Sequence, residues 1–324
     1  TLKKFMATYK EIRGVNIQSR DSDPTAVEGD VWYNASTSKI RMFASAGSWS
    51  SGGNLNTGRE SYHGAGVSNS SAIVFGGAPG DKDECESYDG SSWSEVGDLN
   101  TARDQNSGCG TQTSALCVAG KPSPGDVALV EKWNGTAWTE VGDINTARSQ
   151  TTSSGTSTAA LATGGNVHPG TNLKALNESW NGTAWTEVGD LNTARKSSAS
   201  AGTTTAALVM GGGAPDKNES EEFNGTAWTE GNNLQTAGEY GSGNGIQTAA
   251  LFVGVYGPGG ATNTTQNYDG TTWSEVNNLS VTRYNAAPAQ NSPSSNALHV
   301  GGSGDNDATE EWSFAASVET VAFD

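Results

Sequence analysis

The sequence predicts an all-β chain of four-stranded antiparallel units arranged radially as a β-propeller. Three observations lead there. The tryptophans Trp49, Trp93, Trp138, Trp185, Trp228 and Trp273 are separated by 44, 45, 47, 43 and 45 residues, and a fixed period of this length marks one structural unit used repeatedly. Asn-Gly or Asp-Gly begins shortly before five of them, at Asp89, Asn134, Asn181, Asn224 and Asp269, and these dipeptides tolerate the positive φ of a tight hairpin. No segment carries apolar residues at i, i+3 and i+4 over three turns, so helices are not expected.

Within a unit, the first strand is rich in small residues, as in KSSASAG (196–202), which suits strands crowded around a central channel. The second is apolar, as in AALVM (206–210), and runs into a glycine pair in AIVFGG (72–77), ALATGG (160–165), AALVMGG (206–212) and ALHVGG (297–302). A loop of variable length follows, then a third strand such as ESEEF (219–223). The fourth, such as AWTEV (184–188), begins at the tryptophan, which is expected to lie between neighbouring sheets. Units of this size stack radially. Type I′ turns are expected at the five Asx-Gly positions.

Residues 133–148 and 180–195 read WNGTAWTEVGDINTAR and WNGTAWTEVGDLNTAR, differing only at Ile144 and Leu191. Within this framework a covariation appears. Five of six units open with an arginine (Arg59, Arg103, Arg148, Arg195, Arg283), and five carry a glutamate before the third-strand aromatic (Glu86, Glu131, Glu178, Glu221, Glu310). The unit without arginine, at Gly238, has Gln266 in place of the glutamate. A repeated ion pair joining the first strand to the third, as between Arg148 and Glu178, accounts for both losses, because removing one partner strands a buried charge.

Six units are expected, with the Trp49 strand completing the last sheet. KIRMF (39–43) is then surplus, so seven units with an incomplete first one is the alternative. Residues 1–29 read as a basic extension and 30–324 as the propeller. Lys3, Lys4, Lys10, Arg13 and Arg20 stand in the first twenty residues against Glu11 alone, while the whole chain carries a formal charge of -17. Such a chain repels phosphate backbones, so nucleic acid is not an expected partner. No run approaches the ~20 apolar residues of a membrane span, and LKKFMATYKEI is too short and polar for a signal-peptide core. Cys85, Cys109 and Cys117 are too few for a disulfide framework. They are expected reduced and buried; Cys109 and Cys117 flank a hairpin turn, and their facing each other across it is the alternative.

The glycine pair after the second strand, the aromatic ending the third (Tyr88, Trp133, Trp180, Phe223, Tyr268, Trp312) and the tryptophan five residues later resemble the kelch repeat over about residues 50–312. The unit is shorter than the ~50 residues of that repeat. The WD40 repeat fits less well, since no Trp-Asp dipeptide occurs. Ahead of the repeats, Glu28-Gly29, Trp32-Tyr33-Asn34, Lys39 and Arg41 resemble a short hairpin near the start of virion proteins of tailed bacteriophages. The Leu-Asn-Thr-Ala-Arg repeats are similar to kelch-like proteins of marine phages. These resemblances imply an external structural protein of a tail or fibre, with residues 1–29 docking to other virion proteins and a possible homo-oligomer.

The loops between second and third strands differ in length and chemistry while the framework repeats, and loops on a rigid scaffold are where recognition resides. The candidate ligand-binding residues are Asp81, Lys82, Asp83, Lys121, Asp126, His168, Asn172, Asp216, Lys217, Tyr256, Asn263, Asp305 and Asp307. Strand alternation places them on one face, suited to a host-surface glycan or protein. His63, His168 and His299 fall at different positions of different units, without metal-ligand spacing. No Gly-x-Ser-x-Gly elbow occurs. The acidic turns GDKDE (80–84) and GDNDATEE (304–311) read as solvated turns rather than cation sites. No catalytic residue, metal or cofactor is expected. The leading expectation is a non-enzymatic virion protein. The second is a cellular kelch-type interaction module in the cytoplasm, and the third a carbohydrate-active enzyme.

Overall fold

The computed structural model describes residues 17–22, 31–304 and 306–320. Among them every regular element is a β-strand, and no helix is long and apolar enough to cross a membrane. The chain divides into two compact units, residues 48–313 and residues 1–47 with 314–324. The boundary expected at residue 30 and most of the basic extension lie outside the described residues.

In the second of these, Val31–Asn34 pairs antiparallel with the start of Lys39–Ser51, opposing Trp32 to Arg41 and Asn34 to Lys39. Gln18–Arg20 adds in parallel to Val31–Asn34. Trp32 and Asn34 are buried and Tyr33 is exposed, the alternation of a strand with one covered face. Asn34 Oδ1 accepts the Thr37 N–H at 3.0 Å and so fixes the turn.

Residues 48–313 hold five four-stranded antiparallel sheets. The first contains His63–Ser68, Ser71–Phe75, Cys85–Tyr88 and Trp93–Val96. The second contains Ser107–Thr111, Ser114–Val118, Val130–Trp133 and Trp138–Glu140. The third is Thr152–Thr156, Ala159–Thr163, Asn177–Trp180 and Trp185–Val188, and the fourth Ala199–Thr203, Ala206–Met210, Ser220–Phe223 and Trp228–Glu230. The fifth has Ser242–Ile246, Ala249–Val253, Thr265–Tyr268 and Trp273–Glu275. A further sheet has the order Ala287–Pro288, Leu298–Val300, Thr309–Thr320, Lys39–Ser51, Val31–Asn34, Gln18–Arg20. KIRMF and the Trp49 segment are therefore parts of one strand.

First strands of successive sheets lie side by side, and Ala287–Pro288 neighbours both Ser242–Ile246 and His63–Ser68. The tryptophan opening each fourth strand is covered by the preceding sheet. Trp138 is grouped with Ile73 and Phe75 of the first sheet, its ring centroid 5.0 Å from that of Phe75. Trp93 packs with Leu298 and Val300 and donates to Thr309 Oγ1 at 2.9 Å. Trp49 contacts Trp312 at 5.3 Å and donates to Thr265 Oγ1 at 2.9 Å. First-strand residues are small because a side chain would collide. A Cβ on Gly243 would lie 2.6 Å from Ser200 O.

Ala287–Pro288 is short because the chain leaves it to fill the space between the other first strands. Gln290 Nε2 donates to Ser200 O at 2.6 Å, and Asn291 N and Nδ2 donate to Gly66 O and Gly155 O at 2.9 and 2.5 Å. Asn244 Nδ2 reaches Ala289 O and Ser292 Oγ, each at 2.9 Å.

Two sequence expectations are corrected. The Asx-Gly turns are four-residue loops rather than type I′ hairpins, since Trp133 pairs with Trp138 across residues 134–137. Asn134 Oδ1 accepts the N–H groups of Thr136 and Ala137 at 2.9 and 3.0 Å, and only the glycine has positive φ. This side-chain cap holds the asparagine out of the left-handed region that I′ requires. Cys109 and Cys117 do not face each other: Cys109 pairs with Leu116, and Cys117 with Gly108. The one-residue offset places them on opposite faces of the sheet, in separate core clusters. All three thiols are free and buried.

The Arg–Glu pairs are present in five units, at 2.6 Å for Arg59–Glu86, Arg103–Glu131 and Arg195–Glu221, 2.5 Å for Arg148–Glu178 and 2.7 Å for Arg283–Glu310. Every one of these arginines is fully buried. Arg148 also donates to the carbonyls of Thr146, Ala162 and Gly164. Glu178 Oε2 accepts both N and Nδ2 of Asn145, each at 2.6 Å. The Leu-Asn-Thr-Ala-Arg string is thus a latch: its leucine enters the core, and its asparagine and arginine clasp the glutamate of the following sheet. Where Gln266 replaces glutamate, its Oε1 accepts the Gln235 and Thr236 N–H groups, and Val255 and Tyr256 occupy the space a side chain at 238 would need.

Two stability measurements follow. Trp138→Ala is expected to cost ~3–5 kcal/mol, as for large-to-small changes in a packed core, read as a lowered denaturation midpoint at unchanged slope. Arg148→Met and Glu178→Gln are each expected to cost ~3–5 kcal/mol. The double variant should lose at least ~1 kcal/mol less than their sum, and strict additivity would refute the latch.

Candidate functional site

The glycine pair after four of the six second strands, with Ala119-Gly120 and Gly254 at the same place in the other two, turns the chain back toward the segment entering the first strand. Gly164 and Gly165 have φ of 64° and 109°, and a Cβ on Gly165 would lie 2.8 Å from Ser149 O. The resulting bridges join Glu60 to Ala78, Asp104 to Lys121, Ser149 to Asn166, Lys196 to Gly213, Glu239 to Tyr256 and Tyr284 to Ser303. Six variable loops and six approach segments are therefore collected on one face.

At the centre of that face, six residues close a ring of backbone hydrogen bonds. The N–H of Gln105 donates to Ser61 O, Gln150 to Gln105, Ser197 to Gln150, Tyr240 to Ser197, Asn285 to Tyr240, and Ser61 to Asn285, over 2.7–3.2 Å. All six have φ between 51° and 62°, and this left-handed turn aims each N–H sideways at its neighbour. The ring borders a cavity of about 60 Å³, also lined by His63, Asn106 and Thr151. Gln150 Nε2 donates to the Tyr240 hydroxyl at 3.1 Å, and Asn285 Nδ2 to Ser61 Oγ at 2.7 Å. Three rings step outward from here: Tyr284 lies 6.1 Å from Tyr240 and 5.0 Å from Tyr256.

The residues singled out from sequence divide into three groups. Asp81, Asp126 and His168 hold neighbouring loops together. Asp81 Oδ2 accepts the Ser123 N–H at 2.8 Å, and Asp126 accepts the His168 N–H at 2.6 Å and faces its Nδ1 at 2.9 Å. Ser149 Oγ approaches that same Nδ1 at 3.4 Å. A Ser–His–Asp relay needs opposite ring nitrogens, so this trio lacks that geometry. Other candidates serve their own loops. Lys82 sits 3.9 Å from Glu84, the Lys217 N–H donates to Gly212 O, Asn172 Oδ1 accepts Lys174 Nζ at 3.2 Å, and Asn263 Nδ2 donates to Leu279 O at 2.9 Å. The backbone carbonyls of Asp83 and Asp307 accept the Leu99 and Leu55 N–H groups, and Lys121 N donates to Asp104 O. Asp216 is half-buried near Glu239. Tyr256 alone joins the central group. Asp305 lies outside the described residues.

The central ring was missed, although it has a sequence signal. Its members stand two positions after the arginine or Gly238 of each unit, always polar and always before the small-residue strand. Among the described residues, no three His, Cys, Asp or Glu side chains converge as metal ligands. Burial raises the carboxyl pKa of Asp104 and Glu239 on the approach segments, the latter opposed by Lys196 at 3.7 Å. The chain matches no protein-family model, and a search of curated proteins finds no match.

Two histidines make this region acid-sensitive. Burial holds His63, in the cavity wall, at about 4. Burial first, and Arg283 second, hold the fully buried His299 well below its ordinary 6.5. Its Nδ1 meets Ser242 Oγ at 2.6 Å. Because the folded pKa is depressed, the unfolded chain binds more protons below pH 6.5, and stability is lost as pH falls through 6.5. His299→Gln is expected to remove roughly 1 kcal/mol per pH unit from the slope of unfolding free energy near pH 5.5, read from denaturation series between pH 5 and 7.

Proposed function

We propose that residues 48–313 are a six-bladed propeller of kelch-like units, sealed by the Trp49 strand, which serves as a non-enzymatic binding protein on a tailed-phage particle. The blade count is supported by the circle of six hydrogen bonds, whose last member joins Ser61 to Asn285, and by Trp93 lying against the sixth sheet. The observation that carries the function is the collection of six dissimilar loops on one face around a polar centre. A near-identical framework that varies only there is a scaffold for recognition. The ligand is a host-surface molecule. The virion assignment rests on the resemblance of the Trp32-Tyr33-Asn34 hairpin and the repeats to phage virion proteins, with the residues before it as the attachment to other virion proteins.

Mass spectrometry of purified particles is expected to find the chain at structural abundance. Replacing loop residues 167–173 with a Gly/Ser segment should slow adsorption by at least ~10-fold, a loss of about 1.4 kcal/mol. Replacing the 134–137 turn should leave adsorption unchanged. Absence from intact particles would leave a soluble interaction module instead.

A further inference from the structure

A second covariation runs through the third strands. The position between the clasped residue and the aromatic reads Ser87, Lys132, Ser179, Glu222, Asn267 and Glu311 in the six units. The aromatic reads Tyr88, Trp133, Trp180, Phe223, Tyr268 and Trp312. Two of these aromatics are tyrosines, and each follows a unit that supplies one of the two glutamates. Tyr268 Oη donates to Glu222 Oε1 at 2.6 Å, from the fifth sheet to the fourth. Tyr88 Oη donates to Glu311 Oε1 at 2.5 Å, from the first sheet to the sixth, and accepts the Gly53 N–H at 3.3 Å. Both tyrosines are buried, and a hydroxyl donating to a carboxylate at this distance is among the stronger hydrogen bonds. Trp133 and Trp180 donate instead within their own units, to Gln112 O and Ser157 O.

The two junctions that carry this tie are the two that the repeated latch leaves incomplete. Between the fourth and fifth sheets the string 234–238 ends in Gly238 and meets Gln266, so the guanidinium and the carboxylate are both missing. Lys196 and Glu239 also face each other there at 3.7 Å, a long contact of partly exposed groups, which contributes little. Between the sixth and first sheets the latch is present, as Arg59 on Glu86. Its string, however, leaves the Trp49 strand, whereas Ala287–Pro288, Leu298–Val300 and Thr309–Thr320 of the same sheet come from the far end of the chain. Tyr88 and Glu311, 223 residues apart in sequence, add a side-chain bond to that far segment beside the one from Trp93 to Thr309. The junctions secured by Arg103, Arg148, Arg195 and Arg283 lie within continuous chain, and none of them combines tyrosine with glutamate.

We propose that these two Tyr–Glu bonds are the clasps of two seams in the ring, each standing in for what the latch lacks, and that breaking one opens its own junction without unfolding the neighbouring sheets. The seam between the fourth and fifth sheets is independent of ring closure. The seam between the sixth and first rests on the closed ring of six units proposed above. Matching amides report on the junctions, because a glycine N–H of one unit donates to the residue opening the next: Gly77 to Arg103 O, Gly120 to Arg148 O, Gly165 to Arg195 O, Gly212 to Gly238 O and Gly302 to Arg59 O, over 2.8–3.3 Å. The test is native-state hydrogen exchange of the full chain at these five amides. Tyr268→Phe is expected to speed exchange of Gly212 by at least ~10-fold and to leave Gly77, Gly120 and Gly165 unchanged. Glu222→Gln, which keeps an acceptor and the shape of the side chain, should act on the same amide, and the double variant should exchange no faster than Tyr268→Phe alone. Tyr88→Phe should speed Gly302 and not Gly212. An unchanged Gly212 in Tyr268→Phe, or faster exchange spread evenly over all five amides, would overturn the proposal. The expected response at Gly212 with none at Gly302 in Tyr88→Phe would keep the first seam and refute the second. Rapid exchange of Gly302 in the unaltered chain would refute the closed ring itself while sparing the seam at Gly212.

Discussion

A buried glutamate clasped by the chain arriving from the preceding sheet is the interaction on which the rest of residues 48–313 depends. Glu178 receives two hydrogen bonds from Asn145 and one from Arg148, and Glu86, Glu131 and Glu221 are held in the same way. A carboxylate is costly to bury unless its lone pairs are filled, so the site tolerates little variation in its donors. That requirement explains why Leu-Asn-Thr-Ala-Arg recurs almost unchanged. It also sets the angle at which each sheet meets the next, because the string is both the exit from one sheet and the clamp on its neighbour. The exception supports the rule. With Gly238 and Gln266, the carboxylate and its counter-ion are gone together, while Gln235 Nε2 still donates to Trp273 O at 2.9 Å.

The ring at the centre follows from the same geometry. Two residues after the arginine the backbone is left-handed in all six units, and side-by-side packing of the first strands brings those residues within hydrogen-bonding distance. Non-glycine residues occupy this conformation at a cost. The cost is offset because each N–H and C=O there finds a partner in the next unit. The ring therefore couples six local choices, and it leaves the side chains of Ser61, Gln105, Gln150, Ser197, Tyr240 and Asn285 free of the framework's demands. They differ from unit to unit while their backbone does not.

Much of the fold was legible in the sequence because period, Asx-Gly turns and glycine pairs all report backbone requirements. AALVM and ESEEF fall within one residue of Ala206–Met210 and Ser220–Phe223. The Arg–Glu pair was legible because six copies in one chain act as their own comparison. The turn type was misread because asparagine was credited with positive φ, whereas its side chain caps the loop instead. Asp81 and Asp126 were expected to meet ligand, yet each accepts a backbone N–H about 42 residues away, a contact that no local pattern announces. The central ring was overlooked for the opposite reason to the latch: its requirement is on the backbone, so a polar residue two positions after each arginine or Gly238 read as ordinary loop composition.

The claim that six units close on one another is tested most directly by residue-resolved amide hydrogen exchange at Ser61, Gln105, Gln150, Ser197, Tyr240 and Asn285. These amides border the central cavity, and their hydrogen-bond partners are the carbonyls of the ring. If the ring is closed, all six exchange slowly and with a common dependence on denaturant, as members of one cooperative unit. Rapid exchange at Ser61 alone, whose N–H makes the bond to Asn285, would mean that the first and last sheets do not meet and that the six units form an open arc.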